Sequence, residues 1–191
     1  MSKVLYLDTE TTGLTTNSAI IQIAGIIEID GVAKEEFNIK CRPHENAEIS
    51  KDALEVTKLT LEEINKYQAP EDALKELETI FAKYCDKYNK EDKFILVGHN
   101  VKFDLKMLNS FFIRLENNYL GSWISFKKIF DTLAVIQAMQ IIKIIPEMEN
   151  NKLGTLSEYF KIELGDNAHD ALADIRATRK LSKIIAKILK K

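Results

Sequence analysis

Two acidic residues follow an apolar run near the N-terminus. The run Val4–Leu7 leads into Asp8 and Glu10, and hydroxyl residues and a glycine come directly after them. In a β-strand, residues i and i+2 point to the same face, so both carboxylates would project together. Two like charges that close are unfavourable unless a cation lies between them. The pair therefore indicates a divalent-metal site, although an isolated D-x-E is more often a half-buried strand that runs into a polar turn.

A third acid, Asp104, lies far along the chain. It follows the apolar segment 94–97 and the polar residues Gly98-His99-Asn100. Ligand sites in open α/β sheets form where strands end, so Asp104 could join Asp8 and Glu10. The alternative is an acid at a helix start, where the helix dipole favours negative charge.

A histidine and a fourth acid lie near the C-terminus. His169 and Asp174 belong to the stretch 167–175, in which small alanines would let a helix start approach other backbone closely. Asp174 lies between Leu172 and Ile175, an unusual place for a carboxylate whose neighbours face a core. The alternatives are a capping or surface histidine and an exposed helix acid.

Taken in order, these segments resemble the three motifs of the DEDDh, or DnaQ-like, exonuclease family, which includes ribonuclease T and the proofreading exonucleases of the polymerase III epsilon and PolC type. The matching stretches are 8–14, 98–104 and 169–174, and the last has the pattern H-x-A-x-x-D. Residues 131–133 resemble a D-T-L found between the second and third motifs in many relatives. Residues 167–178 are similar to the third motif of bacterial exonuclease I. The resemblance covers residues 4 to about 180.

The resemblance implies a metal-dependent 3′–5′ exonuclease. Two Mg²⁺ or Mn²⁺ ions would be held by Asp8, Glu10, Asp104 and Asp174, with Asp104 acting at the second ion, directly or through water. Hard oxygen ligands suit these cations, and paired ions can activate water and stabilise the leaving oxygen. His169 would act as the general base, because imidazole has a near-neutral pKa. The expected substrate contacts are Thr9, Thr11, Thr12, Gly13, Leu14, His99, Asn100 and Phe103.

The expected substrate is a single-stranded or frayed 3′ end of DNA, with release of nucleoside 5′-monophosphates. Leu14 occupies the position at which relatives wedge a leucine against the terminal bases. The alternatives are a proofreading-type subunit with a DNA polymerase partner, an exoribonuclease of the ribonuclease T type, and a catalytically idle nucleic-acid-binding module. No carboxylate is lost from the motifs, which disfavours the idle module.

The order of elements predicts a single α/β domain over residues 1–191, with a mixed central sheet flanked by helices, as in the ribonuclease H-like fold. Apolar runs predict five strands, and the Asp30-Gly31 pair predicts a hairpin turn. The expected strands are 3–8, 19–29, 33–41, 94–97 and 128–131. The expected helices are short turns within 50–66, an amphipathic helix over 70–89, a second helix after Gly98-His99-Asn100, and helices at 132–142, 155–160 and 169–190.

The composition fits a cytoplasmic globular protein. Hydrophobic residues make up 46% and charged residues 29% of the 191 residues, which excludes general disorder. The net charge of −2 argues against a protein that coats duplex through its overall field. Cys41 and Cys85 have neither metal-ligand spacing nor disulfide density, so we expect buried thiols. No apolar run approaches the length of a membrane span.

The last predicted helix carries a run of cations without an intervening acid. Two interpretations remain open: a strip that follows the phosphates of a nucleic acid, and a solvated face whose cations suit a helix C-terminus. The residues concerned are Arg176, Arg179, Lys180, Lys183, Lys187, Lys190 and Lys191.

Overall fold

A computed structural model describes residues 1–164 and 170–190 of the chain. Within them, five strands form one mixed sheet in the order β3-β2-β1-β4-β5. The strands are β1 Lys3–Thr11, β2 Ile20–Ile29, β3 Val32–Lys40, β4 Phe94–Gly98 and β5 Ile124–Asp131. The predicted α/β fold with a mixed sheet is confirmed, whereas the assignment of all 191 residues to one domain stays a prediction.

The strand directions bring the motif residues to one edge of the sheet. β1 pairs antiparallel with β2 and parallel with β4, and β4 pairs parallel with β5. Asp30 and Gly31 both have positive φ, as a two-residue hairpin turn requires. Because β1, β4 and β5 run parallel, their carboxyl ends lie together, and the first two motifs meet there.

Helices cover both faces of this sheet. They are α1 Lys51–Thr57, α2 Leu61–Ile64, α3 Pro70–Ala82, α4 Val101–Arg114, α5 Leu120–Trp123, α6 Thr132–Ile141, α7 Leu153–Tyr159 and α8 Ala171–Ile188. The larger core joins Leu5 and Leu7 of β1 to α3 and α4. On the opposite face, Ala171 and Ile175 of α8 pack against Tyr6 and its sheet neighbours.

The predicted helix over 70–89 is wrong at its C-terminal end, because α3 ends at Ala82. Tertiary contacts turn the chain there: Lys3 Nζ donates to the carbonyl oxygen of Tyr84, and the Asp92 carboxylate accepts the N–H of Asp86. Tyr88, expected in the apolar stripe, is 84% exposed.

The fifth strand is longer than the sequence predicted. β5 begins at Ile124, four residues before the predicted strand 128–131.

Cys41 and Cys85 are buried free thiols, as expected. Burial raises the pKa of each thiol to about 12, so neither is a thiolate near neutral pH.

Candidate active site

Three carboxylates form a cluster, two of them on β1 and one on α8. Asp8, Glu10 and Asp174 each place one carboxylate oxygen within 4.8 Å of the other two, and all three side chains are half-buried. The period of β1 puts Asp8 and Glu10 on the face that Tyr6 shares with α8. The structure therefore brings together acids that are more than 160 residues apart in sequence.

Asp170 places the third acid by capping α8. Its carboxylate accepts the N–H groups of Leu172 at 3.0 Å and Ala173 at 3.3 Å. Asp174 then falls in the first turn of α8, where unsatisfied N–H groups and the helix dipole favour negative charge. The buried Ala171 and Ile175 hold this end of the helix against the sheet.

Asp104 approaches the cluster from the other face of the sheet. It is 4% exposed, and its Oδ1 accepts the backbone N–H of Thr9 at 3.0 Å and the Thr9 hydroxyl at 2.8 Å. The group of acids within 4.8 Å, among the residues that the structure describes, does not include Asp104. It still acts on the cluster, because its charge helps to raise the pKa of Asp8.

Burial and mutual repulsion make these acids weak. Burial, followed by the charges of Asp104, Glu10 and Asp174, raises the pKa of Asp8 well above its usual range. Burial and then Asp174 raise the pKa of Glu10 to about 8. Burial raises the pKa of Asp104 to about 7, although the hydrogen bonds from Thr9 oppose that shift.

These shifts test whether the residues suit a metal. Without a cation, the cluster would hold protons near neutral pH, because its charges are buried and close together. A divalent cation would take the place of those protons, and carboxylate oxygens are the ligands that Mg²⁺ and Mn²⁺ prefer. The donor set and its electrostatics therefore fit a divalent ion.

His169 belongs to residues 165–169, which lie outside the described part of the chain. Its role as a general base therefore stays a prediction. Asp170, the next residue along the chain, is described, and it anchors the start of α8.

The hydroxyls of the first motif hold the backbone of the loop after β1. The Thr11 hydroxyl donates to the carbonyl oxygen of Gly13 at 2.7 Å. The Thr12 hydroxyl donates to the carbonyl oxygen of Glu48 at 2.7 Å and accepts the N–H of Ala19 at 2.8 Å. Both threonines are buried, so their hydroxyls stabilise the loop backbone from the protein interior.

Leu14 stands at the tip of that loop. It is 80% exposed, and it lines a cavity of about 320 Å³ beside the carboxylates. Thr9 and Glu10 belong to the lining of this cavity, and Phe103 and Val56 provide further apolar surface. The other lining residues come from the end of β1, the loop after it, and α1 with its N-cap: Thr11, Gly13, Ser50, Asp52, Ala53 and Thr57.

The second motif contributes the junction after β4. Both ring nitrogens of His99 are engaged within the protein, by the Thr132 hydroxyl at 2.9 Å and the carbonyl oxygen of Asn151 at 2.9 Å. Burial lowers the pKa of His99. Asn100 is exposed and has a φ of 61°. Its N–H donates to the Asp131 carboxylate at 2.9 Å.

Polar residues outside the predicted ligands and substrate contacts support this site. The Asp131 carboxylate accepts the N–H groups of Asn100 and Leu133, which joins the end of β4 to the start of α6. Gln22, which is 3% exposed, donates to Asp170 at 3.2 Å and to Asn38 at 2.8 Å. The available signal for Gln22 was a polar residue inside an isoleucine-rich strand.

Three of the cations of α8 pair with carboxylates of the sheet, and three others are exposed. Arg179 and Lys183 both pair with Glu28, at 2.6 and 3.0 Å, and Arg176 pairs with Glu36 at 2.6 Å. Two carboxylates of the sheet therefore pair with these three cations. Lys180, Lys187 and Lys190 are exposed, and Lys191 lies outside the described residues.

A family model described as Exonuclease, of the RNase T type, matches residues 5–182. The chain belongs to the DnaQ-like exonuclease family. Members of this 3′–5′ exonuclease family depend on divalent metal, and the carboxylate cluster accords with that dependence. No helix in the described residues is both long enough and apolar enough to cross a membrane.

The curated relatives of this chain are much longer proteins. It is 28% identical over 189 residues to the PolC-type DNA polymerase III of Oceanobacillus iheyensis, covering 98% of this chain and 12% of that one. It is 27% identical over 180 residues to the PolC-type DNA polymerase III of Bacillus subtilis, covering 91% and 11%. The chain thus spans about a tenth of the length of these relatives.

Solved structures share the fold of this chain. E. coli exonuclease I in complex with a dT13 oligonucleotide superposes with a TM-score of 0.83 at 22% identity, covering 100% of this chain and 42% of that one. Cell-death related nuclease 4 superposes with a TM-score of 0.76 at 15% identity, covering 98% and 64%. At these identities the likeness establishes the fold.

Proposed function

We propose that this protein is a metal-dependent 3′–5′ exodeoxyribonuclease that removes nucleoside 5′-monophosphates from single-stranded or frayed 3′ ends of DNA. The observation that carries the proposal is the convergence of Asp8, Glu10 and Asp174 within 4.8 Å. These acids lie beside a cavity that presents Leu14 and Phe103. The proposed hydrolytic centre would therefore adjoin a surface suited to a nucleobase.

Asp8, Glu10 and Asp174 would hold the metal, and Asp104 would contribute from the other face of the sheet. When bound, two Mg²⁺ or Mn²⁺ ions neutralise the phosphate, acidify the attacking water and stabilise the leaving oxygen. Thr9 keeps Asp104 oriented through its N–H and its hydroxyl. The protein thus supplies ligands whose positions are set before substrate arrives.

His169 would accept the proton of the attacking water at an imidazole nitrogen. A positioned base of near-neutral pKa is suited to that transfer. The residue directly precedes Asp170, whose carboxylate is tied to the start of α8. Asp174 lies in the first turn of that helix.

The 320 Å³ cavity would receive the 3′-terminal nucleotide. Leu14 and Phe103 offer apolar surface to any of the four bases, and base–aromatic stacking contributes about 1–3 kcal/mol per base. A base that is still paired and stacked in a duplex cannot enter such a cavity. This requirement supports a preference for unpaired 3′ ends.

The relatives support DNA as the substrate and a polymerase as a partner. Exonuclease I was solved with DNA oligonucleotides, and the PolC-type relatives are DNA polymerases. A proofreading-type activity beside a polymerase is therefore the second candidate. The family model is of the RNase T type, so RNA is the substrate to be compared with DNA. A cytoplasmic location stays a prediction.

The test uses 5′-labelled single-stranded DNA and RNA of one sequence, each with Mn²⁺, with Mg²⁺ and with excess chelator. We expect a metal-dependent ladder of products that shorten from the 3′ end, faster on DNA than on RNA. A faster rate on RNA would replace the exodeoxyribonuclease with an exoribonuclease. Binding without any cleavage would indicate an idle nucleic-acid-binding module.

A further inference from the structure

A separate cavity lies beyond the loop that carries Leu14. Its volume is about 550 Å³, within the range of about 300–1,000 Å³ that is typical of ligand sites. Leu14 lines the cavity beside the carboxylates, whereas Ser18, at the other end of the loop, lines this one. None of the clustered carboxylates Asp8, Glu10 and Asp174 belongs to its lining. The cavity is therefore distinct from the proposed active site.

Two arginines from different elements line this cavity, which we call the Arg42 cavity. Arg42 follows β3, and its exposed side chain makes no hydrogen bond or ion pair with the described residues 1–164 and 170–190. Arg114 lies in the last turn of α4, and its Nη2 donates to the carbonyl oxygen of Thr16 at 2.7 Å. That bond leaves further N–H groups of the guanidinium available. Guanidinium groups bind phosphate through paired N–H donors, so the two arginines suit an anionic group.

His44 adds a buried ring nitrogen to the same cavity. Its Nε2 is shielded from solvent and has no hydrogen-bond partner among the residues that the structure describes. Burial, followed by the charge of Arg114, lowers the pKa of His44, which indicates a neutral imidazole close to that guanidinium. A buried polar atom without a partner destabilises a protein, so a ligand hydroxyl that pairs with Nε2 would remove this cost.

The rest of the lining combines acids with apolar surface. Glu45 and Glu71 offset the charges of the two arginines, so the cavity favours a ligand with an anionic group at one end and N–H donors at the other. The apolar lining residues are Ile20, Pro43, Pro70, Met107, Phe111 and Leu115. A nucleoside 5′-monophosphate meets these requirements, because it carries a phosphate, a sugar hydroxyl and a flat base with polar edges.

We propose that the Arg42 cavity binds a nucleoside 5′-monophosphate and regulates the exonuclease through the loop that carries Leu14. The phosphate pairs with Arg42 and Arg114, and the sugar hydroxyl pairs with His44. Because Arg114 also holds Thr16, a phosphate that draws its guanidinium away releases one end of this loop and weakens the binding of 3′ ends. The binding site stands on its own residues, whereas the regulatory role rests on the proposed function, which releases this class of nucleotide.

Calorimetry in excess chelator tests binding at the Arg42 cavity, because without a cation the carboxylate cluster does not attract a phosphate. The probes are deoxyadenosine 5′-monophosphate, deoxyadenosine and inorganic phosphate. We expect the parent to bind the nucleotide more tightly than either fragment, and Arg42→Glu to weaken that binding by about tenfold or more. Lys187→Glu makes the same change of charge at an exposed residue outside the cavity lining and should bind like the parent.

Steady-state kinetics in Mn²⁺ test the regulatory role. Without added nucleotide, Arg42→Glu and Lys187→Glu should hydrolyse single-stranded DNA with the kcat and KM of the parent. Added deoxyadenosine 5′-monophosphate also competes at the active site, and that competition is common to all three proteins. We therefore expect the nucleotide to raise KM more in the parent and in Lys187→Glu than in Arg42→Glu.

The outcomes separate the site, its regulatory role and the proposed function. Equal affinity of the parent and Arg42→Glu, or phosphate that binds as tightly as the nucleotide, would overturn the nucleotide site and leave the exonuclease intact. Weaker binding by Arg42→Glu together with an equal rise of KM in all three proteins would overturn the regulatory role. A parent that hydrolyses no DNA in Mn²⁺ would refute the proposed function, and calorimetry would still decide whether the cavity binds the nucleotide.

Discussion

The side-chain amide of Gln22 donates a hydrogen bond to Oδ2 of Asp170 at 3.2 Å, which links the middle of the sheet to the start of α8. Gln22 pairs with Glu10 in the register of β2 and β1, so this bond begins beside a member of the carboxylate cluster. The other oxygen of Asp170 caps the helix that carries Asp174. This part-buried amide–carboxylate contact therefore helps to set the distance between the two halves of the cluster, together with the packing of Ala171 and Ile175.

Gln22→Glu should slow hydrolysis, because it removes the donor and places a second negative charge against Asp170. A displacement of about 1 Å at the start of α8 would lower kcat by roughly 10²-fold. The double variant Gln22→Glu/Asp170→Asn reverses donor and acceptor at the same net charge and should restore kcat. Steady-state kinetics of the parent, both single variants and the double variant measure this, and failure of the double variant to recover any activity would contradict it.

Glu10 makes stability depend on pH in the absence of metal. Burial and Asp174 raise its pKa from the usual 4.5 to about 8. A raised carboxyl pKa stabilises the folded state below pH 4.5, and that contribution is lost as the pH rises through about 8. In chelator, the Tm of Glu10→Gln minus the Tm of the parent should therefore increase as the pH rises from 5 to 9. A Tm difference that does not change with pH would show that Glu10 carries no such strain.

Divalent metal should reverse the order of the two Tm values, so that the parent melts above Glu10→Gln. Mn²⁺ binds the folded parent and not the unfolded chain, so it should raise the Tm of the parent more than that of Glu10→Gln. Thermal unfolding with and without Mn²⁺ at pH 8 measures the difference. An equal rise in both proteins would remove Glu10 from the ligand set.

His169→Ala should retain metal binding and lose roughly 10²–10⁴-fold in the chemical step, the usual contribution of a positioned base. The parent rate should fall as the pH decreases through the histidine pKa, since the protonated ring cannot accept a proton. Single-turnover rates across that range, with Mn²⁺ binding measured by calorimetry, test the role. A flat parental profile together with a small loss in the variant would rule out the general base.

Much of the fold was predictable from local pattern, and the supporting contacts were not. Apolar runs and the Asp30-Gly31 turn indicate the strands because period and turn chemistry are local properties. The end of α3 depends on Lys3, which is distant in sequence, and on Asp92 in the segment that follows the helix. The partners of Gln22 and Thr9 likewise come from elements far along the chain, so no spacing in the sequence could reveal them.

Leu14→Ala should weaken substrate binding and leave metal affinity unchanged. The side chain is 80% exposed, so its loss removes a surface for the terminal base without opening the core. The parent should degrade single-stranded and mismatched 3′ ends faster than matched ends at one salt concentration, and the variant should show a higher KM on each. Equal parental rates on all three ends, or an undiminished affinity of the variant, would remove this residue from base recognition.

The most direct measurement of the central claim is the Mn²⁺-dependent rate of 3′-end hydrolysis in Asp8→Ala and Asp174→Ala, with Asp72→Ala as a control in the first turn of α3. Removal of either clustered carboxylate should nearly abolish hydrolysis while circular dichroism shows an intact fold, and the control should match the parent. Activity of either cluster variant within about tenfold of the parent, a difference of only about 1.4 kcal/mol in activation free energy, would contradict the assignment of the metal site.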